Sequence, residues 1–359
     1  LGFFRVWAIP ATNYSGLLGH FFPSETASRD RLHEAGFDDG RIRWLAEPHL
    51  TGHEVREALG DAAAEVISLA LDQIGDEDLF EFRNTISGEK DIQKLPLPDA
   101  TREWLIGRHA DRAFIRLEND RFAPAWSFRT CSRYRQLQDH EKAAFERLVS
   151  DLGEASERMW EDQARRLLGF MREATEMLAC AEDLGVIPNA VPKVLAELEM
   201  LGLRIPRWAR LWDQPGHPFV PPTEFPFLTV CAPSVHDTST MRGWWREEKD
   251  KQAFWACLGL DGPAPSEYDA ATARRVTAAI LETSSAICVL QPQDILALVS
   301  GIASTSPEDE RVNIPGTVNE FNWNYRLPVG IKELTAQVDL VETLRPMLEK
   351  RRSRPVDSR

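Results

Sequence analysis

The sequence predicts an α/β fold built on parallel strands, and three observations carry that prediction. After residue 176, short apolar runs alternate with amphipathic stretches. "MLACA", "GLRIP", "FLTVCAP" and "AICVLQ" have strand length and no polar alternation. Such runs read as strands buried on both faces, as parallel strands are when crossover helices cover them. "VPKVLAELEML", "KQAFWACLGL", "AATARRVTAAILETSS" and "IKELTAQVDLVETLRPMLEK" carry apolar residues at spacings of three and four, so they read as helices. Finally, three of the apolar runs end at polar residues, as strands of a parallel sheet do where they meet a site. A doubly wound sheet and a (β/α)8 barrel both satisfy this pattern. Neither G-x-G-x-x-G nor G-x-x-x-x-G-K-[ST] occurs, which removes the usual support for a nucleotide-binding version.

Upstream the pattern is less regular. Residues 1–11 read as the end of a buried strand and its loop. The chain opens directly on core-type residues, "LGFFRVWAIP", as one cut inside a domain would. Residues 12–137 mix Gly/Pro joints with one helical pattern, "GHEVREALGDAAAEVISLALDQI". Two helices follow, "QDHEKAAFERLVSDL" and "ASERMWEDQARRLLGFMREAT", with Gly153 as the expected break between them.

Composition narrows the function. The chain has 359 residues, enough for one large α/β domain or two ordinary ones. A formal net charge of -14 disfavours nucleic acid and anionic membranes as partners. The basic end "EKRRSRPVDSR" is too short to reverse that and reads as a solvated terminus. No apolar stretch is long enough to span a bilayer, and no signal peptide is expected. Cys131, Cys180, Cys231, Cys257 and Cys288 form no C-x-x-C and no Cys/His cluster. They are expected as buried free thiols in a reducing, cytoplasmic setting. No cofactor and no metal site are expected, and the oligomeric state is left open. Eleven tryptophans against four tyrosines supply much flat apolar surface, suited to packing or to stacking against sugar rings.

The polar strand ends are the candidate site. "MLACA" leads to Glu182 and Asp183, "FLTVCAP" to Ser234, His236 and Asp237, and "AICVLQ" to Gln291, Gln293 and Asp294. Carboxylates brought together from different strands suit paired acid/base chemistry, one kept protonated by burial and another ionised by hydrogen bonds. Each also has a plainer role. Glu182–Asp183 and Gln293–Asp294 could cap helices, His236 could be a satisfied core histidine, and Trp244 and Trp245 could be packing.

"AEDLGVIPNAVPKVL", "APSVHDTSTMRGWW", "QPQDILAL" and "NIPGTVNEFNWNYRLP" together resemble the successive signature blocks of the 4-alpha-glucanotransferases, glycoside hydrolase family 77. "LGFFRVWAIPA" resembles a fifth block. The resemblance is strong over 1–20 and 138–335 and implies a retaining enzyme on a (β/α)8 barrel. It implies Glu182 as general acid/base and Asp237 as the carboxylate that steadies the oxocarbenium-like transition state, with His236 on the same sugar. It places the attacking aspartate, in an R-x-D-H motif, upstream of Leu1, and so implies that this stretch alone is inactive and exposes strand edges. By block position, Trp7, Asp183, Ser234, Trp244, Trp245, Asn313, Asn322, Trp323 and Arg326 join the substrate-binding candidates. Ser239, Thr240 and Arg242 are expected to fix the loop around Asp237.

The implied organisation has residues 1–20 as the end of barrel strand 4, 21–137 as a largely helical insertion, and 138–359 as strands 5–8 with a closing helix. The long insertion resembles the maltose-using subtype, which passes glucosyl units between maltose and soluble glucans and often carries starch-binding modules. An α-glucan hydrolase of the same clan and a non-catalytic glucan-binding protein are the alternatives.

Overall fold

A computed structural model describes residues 4–182, 187–212, 214–304 and 306–353. The chain forms two compact units, Leu1–Met171 with Pro188–Val191, and Arg172–Ile187 with Pro192–Arg359.

The first unit runs β1 (Val6–Ala8), β2 (His20–Phe22), β3 (Ala27–Ser28), α1 (Arg29–Glu34), α2 (Asp39–Ala46), β4 (His49–Thr51), α3 (Gly52–Leu59), α4 (Ala63–Ala70), β5 (Leu71–Gln73) and β6 (Leu79–Phe82). Then come α5 (Glu89–Ile92), α6 (Asp99–Ala110), β7 (Phe114–Leu117), β8 (Arg121–Pro124), α7 (Ser132–Arg135) and α8 (Asp139–Glu173). The strands form an antiparallel β1–β2 pair and two three-stranded antiparallel sheets, ordered β3-β8-β7 and β4-β6-β5.

Residues 21–137, expected as a largely helical insertion, hold helices α1 to α7 together with small antiparallel sheets that were not expected. The strands are two to four residues long, too short to show alternation above the helical background. The segment expected as one helix over "GHEVREALGDAAAEVISLALDQI" is α3, a tight turn at Gly60, α4 and then β5. A capping box fixes its start: Thr51 Oγ1 accepts from the Glu54 N–H while Glu54 accepts from the Thr51 N–H. Gly60, at φ +53°, takes a backbone angle that other residues avoid, which ends α3.

Two further expectations change. Residues 1–11 hold a strand that is half exposed and paired antiparallel, not a buried parallel one; Val6 is 50% and Trp7 39% exposed. Gly153 does not interrupt anything, because α8 runs unbroken for 35 residues. Its buried residues Phe145, Leu148, Leu152, Ser156, Trp160, Ala164 and Leu168 recur at three and four, so one face carries the whole helix through the glycine.

The second unit contains β9 (Cys180–Ala181), α9 (Ala190–Glu197), β10 (Leu201–Arg204), β11 (Thr229–Cys231), α10 (Met241–Glu247), α11 (Lys251–Cys257), α12 (Ala270–Leu281), β12 (Ile287–Cys288), α13 (Pro292–Leu296), α14 (Ile331–Thr335) and α15 (Val338–Arg352). All four strands are parallel, in the order β12-β11-β10-β9. The alternation of apolar runs with amphipathic stretches therefore predicted the α/β class and the strand direction.

Burial was predicted less evenly. β11 and the start of β10 are buried, but β9 and β12, at the sheet's edges, are part-exposed. Among the described residues, each edge strand has a neighbour on one side only. Cys180 is accordingly exposed rather than buried, and Cys257 and Cys288 are half-buried; all five cysteines are free thiols. The closing helix is two helices, α14 and α15, split at Ala336–Gln337. Arg351 anchors α15 by donating to the carbonyls of Leu281, Thr283 and Ser285, just ahead of β12.

Candidate active site

Parallel strands share a carboxyl edge, so the residues after β9, β10, β11 and β12 emerge on one side of the sheet. Glu182 follows β9 directly and is exposed. Asp183 lies outside the described residues. Ser234 to Asp237 follow β11. The register aligns Ala181 with Gly202 and Gly202 with Thr229, so β10 lies between the strands that carry Glu182 and Asp237. They are not neighbouring strands. Two strand intervals separate them, about 10 Å at the usual sheet spacing.

The group around Asp237 is compact. Asn313 Nδ2 donates to Asp237 Oδ1 over 2.6 Å. His236 Nε2 lies 3.5 Å from Asp237 Oδ2. The His236 ring packs at a tilt on Trp323, with centroids 5.2 Å apart. The Asn313 N–H donates to the His236 carbonyl (3.1 Å), and the Trp323 N–H to the Val312 carbonyl (2.7 Å). Asn322 ties the same loop together, its Oδ1 accepting from the Ile314 N–H and its amide donating to Thr317. The His236 and Asp237 side chains are 51% and 38% exposed. His236, Asp237, Asn313 and Trp323, picked from separate stretches of sequence, thus meet at one open surface, with Asn322 shaping it. Arg326 is exposed on the same segment.

Three further candidates are buried. Trp245 is fully buried and Trp244 only 9% exposed. Trp244 packs on Phe254, and Trp245 packs on Trp255 while its indole N–H donates to the Pro265 carbonyl. Neither offers a face to a sugar. They sit on α10, whose apolar side forms the core of this unit. Ser234 is 2% exposed and lies beneath the loop, facing Asp294 rather than solvent. Trp7 belongs to the first unit, where it is partly exposed.

Beneath the surface group is a buried polar network that holds the loop. Asp294 Oδ1 accepts from the Met241 N–H, capping α10 (2.9 Å). Burial raises the Asp294 carboxyl above the ordinary range, against the Met241 N–H, the Ser234 hydroxyl and Arg207. Glu310, also buried and raised by burial, accepts from Thr240 Oγ1 (2.8 Å) and pairs with Arg242 (3.0 Å). Gln293 donates to the Glu310 carbonyl. Arg207 donates to the Ser239 carbonyl (2.6 Å), and burial lowers its guanidinium to about 10. Thr240 and Arg242 thus do fix the loop, as does the Ser239 carbonyl. Arg207 and Glu310 escaped the sequence reading. Arg207 stood at a strand end like the others, in "GLRIPR", but as a cation it was not sought among carboxylates.

Among the described residues, the one grouping of metal-ligand type is Glu47, His49 and Glu81 in the first unit. Arg43 already pairs with both carboxylates, at 2.9 and 2.6 Å, so ion pairing accounts for the grouping.

A family profile described as 4-alpha-glucanotransferase, glycoside hydrolase family 77, matches residues 1–332. The chain belongs to this family. Within the family, it is 29% identical to rice 4-alpha-glucanotransferase DPE2, over 97% of this chain and 38% of the relative. It is 35% identical to the 4-alpha-glucanotransferase of Chlamydia muridarum, over 50% of this chain and 34% of that one. The chain therefore spans little more than a third of either curated relative. A solved Streptococcus agalactiae amylomaltase in complex with acarbose aligns with a TM-score of 0.40 and 19% identity, over 55% of this chain and 35% of that one. No helix among the described residues is long and apolar enough to cross a membrane.

Proposed function

We propose that the protein acts as a 4-alpha-glucanotransferase, passing glucosyl or oligoglucosyl units between α-1,4-glucans with retention of configuration. The observation that carries this reading is the joining of His236, Asp237, Asn313 and Trp323 at the end of β11, on the sheet edge where Glu182 leaves β9. In this reading the four parallel strands are half of a (β/α)8 barrel.

Glu182 protonates the leaving glycosidic oxygen and then takes the proton from the acceptor hydroxyl, one group serving both half-reactions. Asp237 accepts hydrogen bonds from the sugar hydroxyls and opposes the positive charge that grows at the anomeric carbon. Asn313 holds one carboxylate oxygen of Asp237, which leaves the other for the sugar and His236. Trp323 offers an apolar face beside them. No residue of this sequence is given the role of attacking carboxylate.

Separation of the two strands by β10 agrees with these roles. A nucleophile and its acid/base partner stand roughly 5–5.5 Å apart, closer than strands two intervals apart bring their ends. Asp237 is read as the stabilising carboxylate because the resemblance to the family's blocks gives it that role. Incubating the full-length protein with maltose and glycogen tests the proposal. Elongated acceptor chains with stoichiometric glucose release are expected. Glucose formation with no elongation would replace transfer by hydrolysis, and no turnover of any α-glucan would remove the reading.

A further inference from the structure

The cysteines take no part in the roles above, yet two of them stand side by side. β11 and β12 pair in parallel with Cys231 opposite Cys288. Residues opposite each other in such a pair point to the same face, and the strand spacing of about 4.8 Å lies within the Cα separation that a disulfide spans. Cys231 is fully buried in the core that α12 and α15 share, and Cys288, half-buried, packs against the same core.

The two thiols are chemically unequal. A hydrogen bond between them lowers the pKa of Cys288 and raises that of Cys231. The Cys231 S–H is thus the donor, and Cys288 is the sulfur that carries the anion. Arg351, which ties α15 to the segment ahead of β12, adds positive charge that favours the Cys288 thiolate. Burial instead raises Cys131, and raises Cys257 to about 11, which leaves both as poor nucleophiles. Cys180 is exposed, but β9 stands two strand intervals from β11, too far for a bond to Cys231. Among the described residues β12 is an edge strand, so a small oxidant meets Cys288 before it meets Cys231.

We propose that Cys231 and Cys288 form a site of reversible oxidation, at which a peroxide converts the two thiols to a disulfide that ties β12 to β11 and slows transfer. With hydrogen peroxide, the Cys288 thiolate attacks one oxygen, the O–O bond breaks, hydroxide leaves and Cys288 becomes a sulfenic acid. The Cys231 sulfur then attacks the Cys288 sulfur. The S–S bond forms as the S–O bond breaks, and the Cys231 proton leaves with the hydroxyl as water. Two electrons pass from the thiols to the peroxide, and exchange with a small dithiol returns them.

The bond would act on the strand ends. Ser234 to Asp237 follow β11, and α13, whose Asp294 accepts from the Met241 N–H, follows β12. Drawing the sulfurs to a bond of about 2.05 Å shifts one strand end against the other, and with it Asp294 against the Asp237 loop. The effect on transfer rests on the proposed function; the oxidation site does not.

Treating the full-length protein with hydrogen peroxide, blocking the remaining thiols under denaturant and mapping the peptides tests this. A Cys231–Cys288 crosslink that dithiothreitol removes is expected. Maltose-to-glycogen transfer should fall about tenfold or more and recover on reduction, as displacement of site groups slows a reaction. Cys231→Ala should leave transfer by the reduced protein unchanged and stop Cys288 at the sulfenic acid, which dimedone traps. Cys288→Ser should leave Cys231 free and cancel most of the effect of peroxide on transfer. Oxidation of exposed Cys180 while Cys231 and Cys288 both stay open to alkylation overturns the site. A sulfinic acid at Cys288 beside a free Cys231 in the unaltered protein overturns it too. Loss of transfer that persists in Cys288→Ser, or a crosslink with transfer unchanged, removes the regulation and leaves the proposed function standing. A crosslink in a protein that shows no transfer when reduced sustains the site and removes the proposed function.

Discussion

The first unit buries two imidazoles, and the second buries two carboxylates. In the first, His109 is 7% exposed and packs edge-on against Phe82, and burial lowers its pKa to about 3; His49 is lowered the same way. In the second, the carboxylates of Asp294 and Glu310 are buried, and burial raises both. The imidazoles sit among structural helices and small sheets. The carboxylates sit beneath the Asp237 loop and hold it. The difference teaches where each unit spends its desolvation: the first to complete a core, the second to fix the loop that carries the candidate site.

The strongest way to break this contrast is at the surface group itself. Asp237→Asn in the full-length protein should lower maltose-to-glycogen transfer by about 10²–10³-fold, and Glu182→Gln by a similar factor, with melting temperatures near wild type. Near-normal turnover in either variant would remove that residue from the chemistry.

Next comes the network beneath. Glu310→Ala strands Arg242 and removes the acceptor of Thr240, so it should cost about 3 kcal/mol of stability, read from denaturant unfolding. Asn313→Ala should leave stability almost unchanged and reduce transfer roughly tenfold, because Asp237 loses its fixed donor. Equal effects of the two on stability would mean that surface and support are not separate layers.

The pH dependence sharpens the comparison between units. His109 binds a proton readily only when unfolded, so its contribution is fully present above about pH 6.5 and is lost as pH falls toward 3. Asp294 and Glu310 hold protons more tightly when folded, so their contribution is greatest at low pH and declines as pH rises through the ordinary carboxylate range to their raised values. His109→Gln should therefore flatten the acid limb of a stability–pH profile, and Asp294→Asn should remove a decline on the other side. An unchanged acid limb in His109→Gln would show that this imidazole is not the group responsible.

The smallest expected effect is Gly153→Ala. Its Cβ meets nothing within 4 Å, so α8 should gain up to about 1 kcal/mol. Destabilisation instead would mean that the continuous helix needs the glycine.

Legibility in the sequence followed the length of each signal. The Asp237 loop and the 313–323 segment were readable because their residue order carries the family's blocks. The supports were not. Asp294 resembled a strand-end acid aimed at a site until its carboxylate was found on the Met241 N–H. Trp244 and Trp245 had the composition of a sugar platform, yet α10 turns them into the core. Adjacent residues on a helix point about 100° apart, and which arc faces inward depends on what packs there. The six short strands of residues 27–124 offered too few residues for alternation to emerge.

By itself, then, the sequence determined the parallel α/β half, the polar residues at its strand ends and the family. Those follow from hydrophobic periodicity and residue order, which are local properties of a chain. Only the tertiary structure decided that β10 parts the strands of Glu182 and Asp237, that Ser234, Trp244 and Trp245 are buried, and that Cys231 and Cys288 stand side by side. Strand order, burial and register are set by contacts between segments far apart in the chain, and no local pattern encodes which partner a surface will meet.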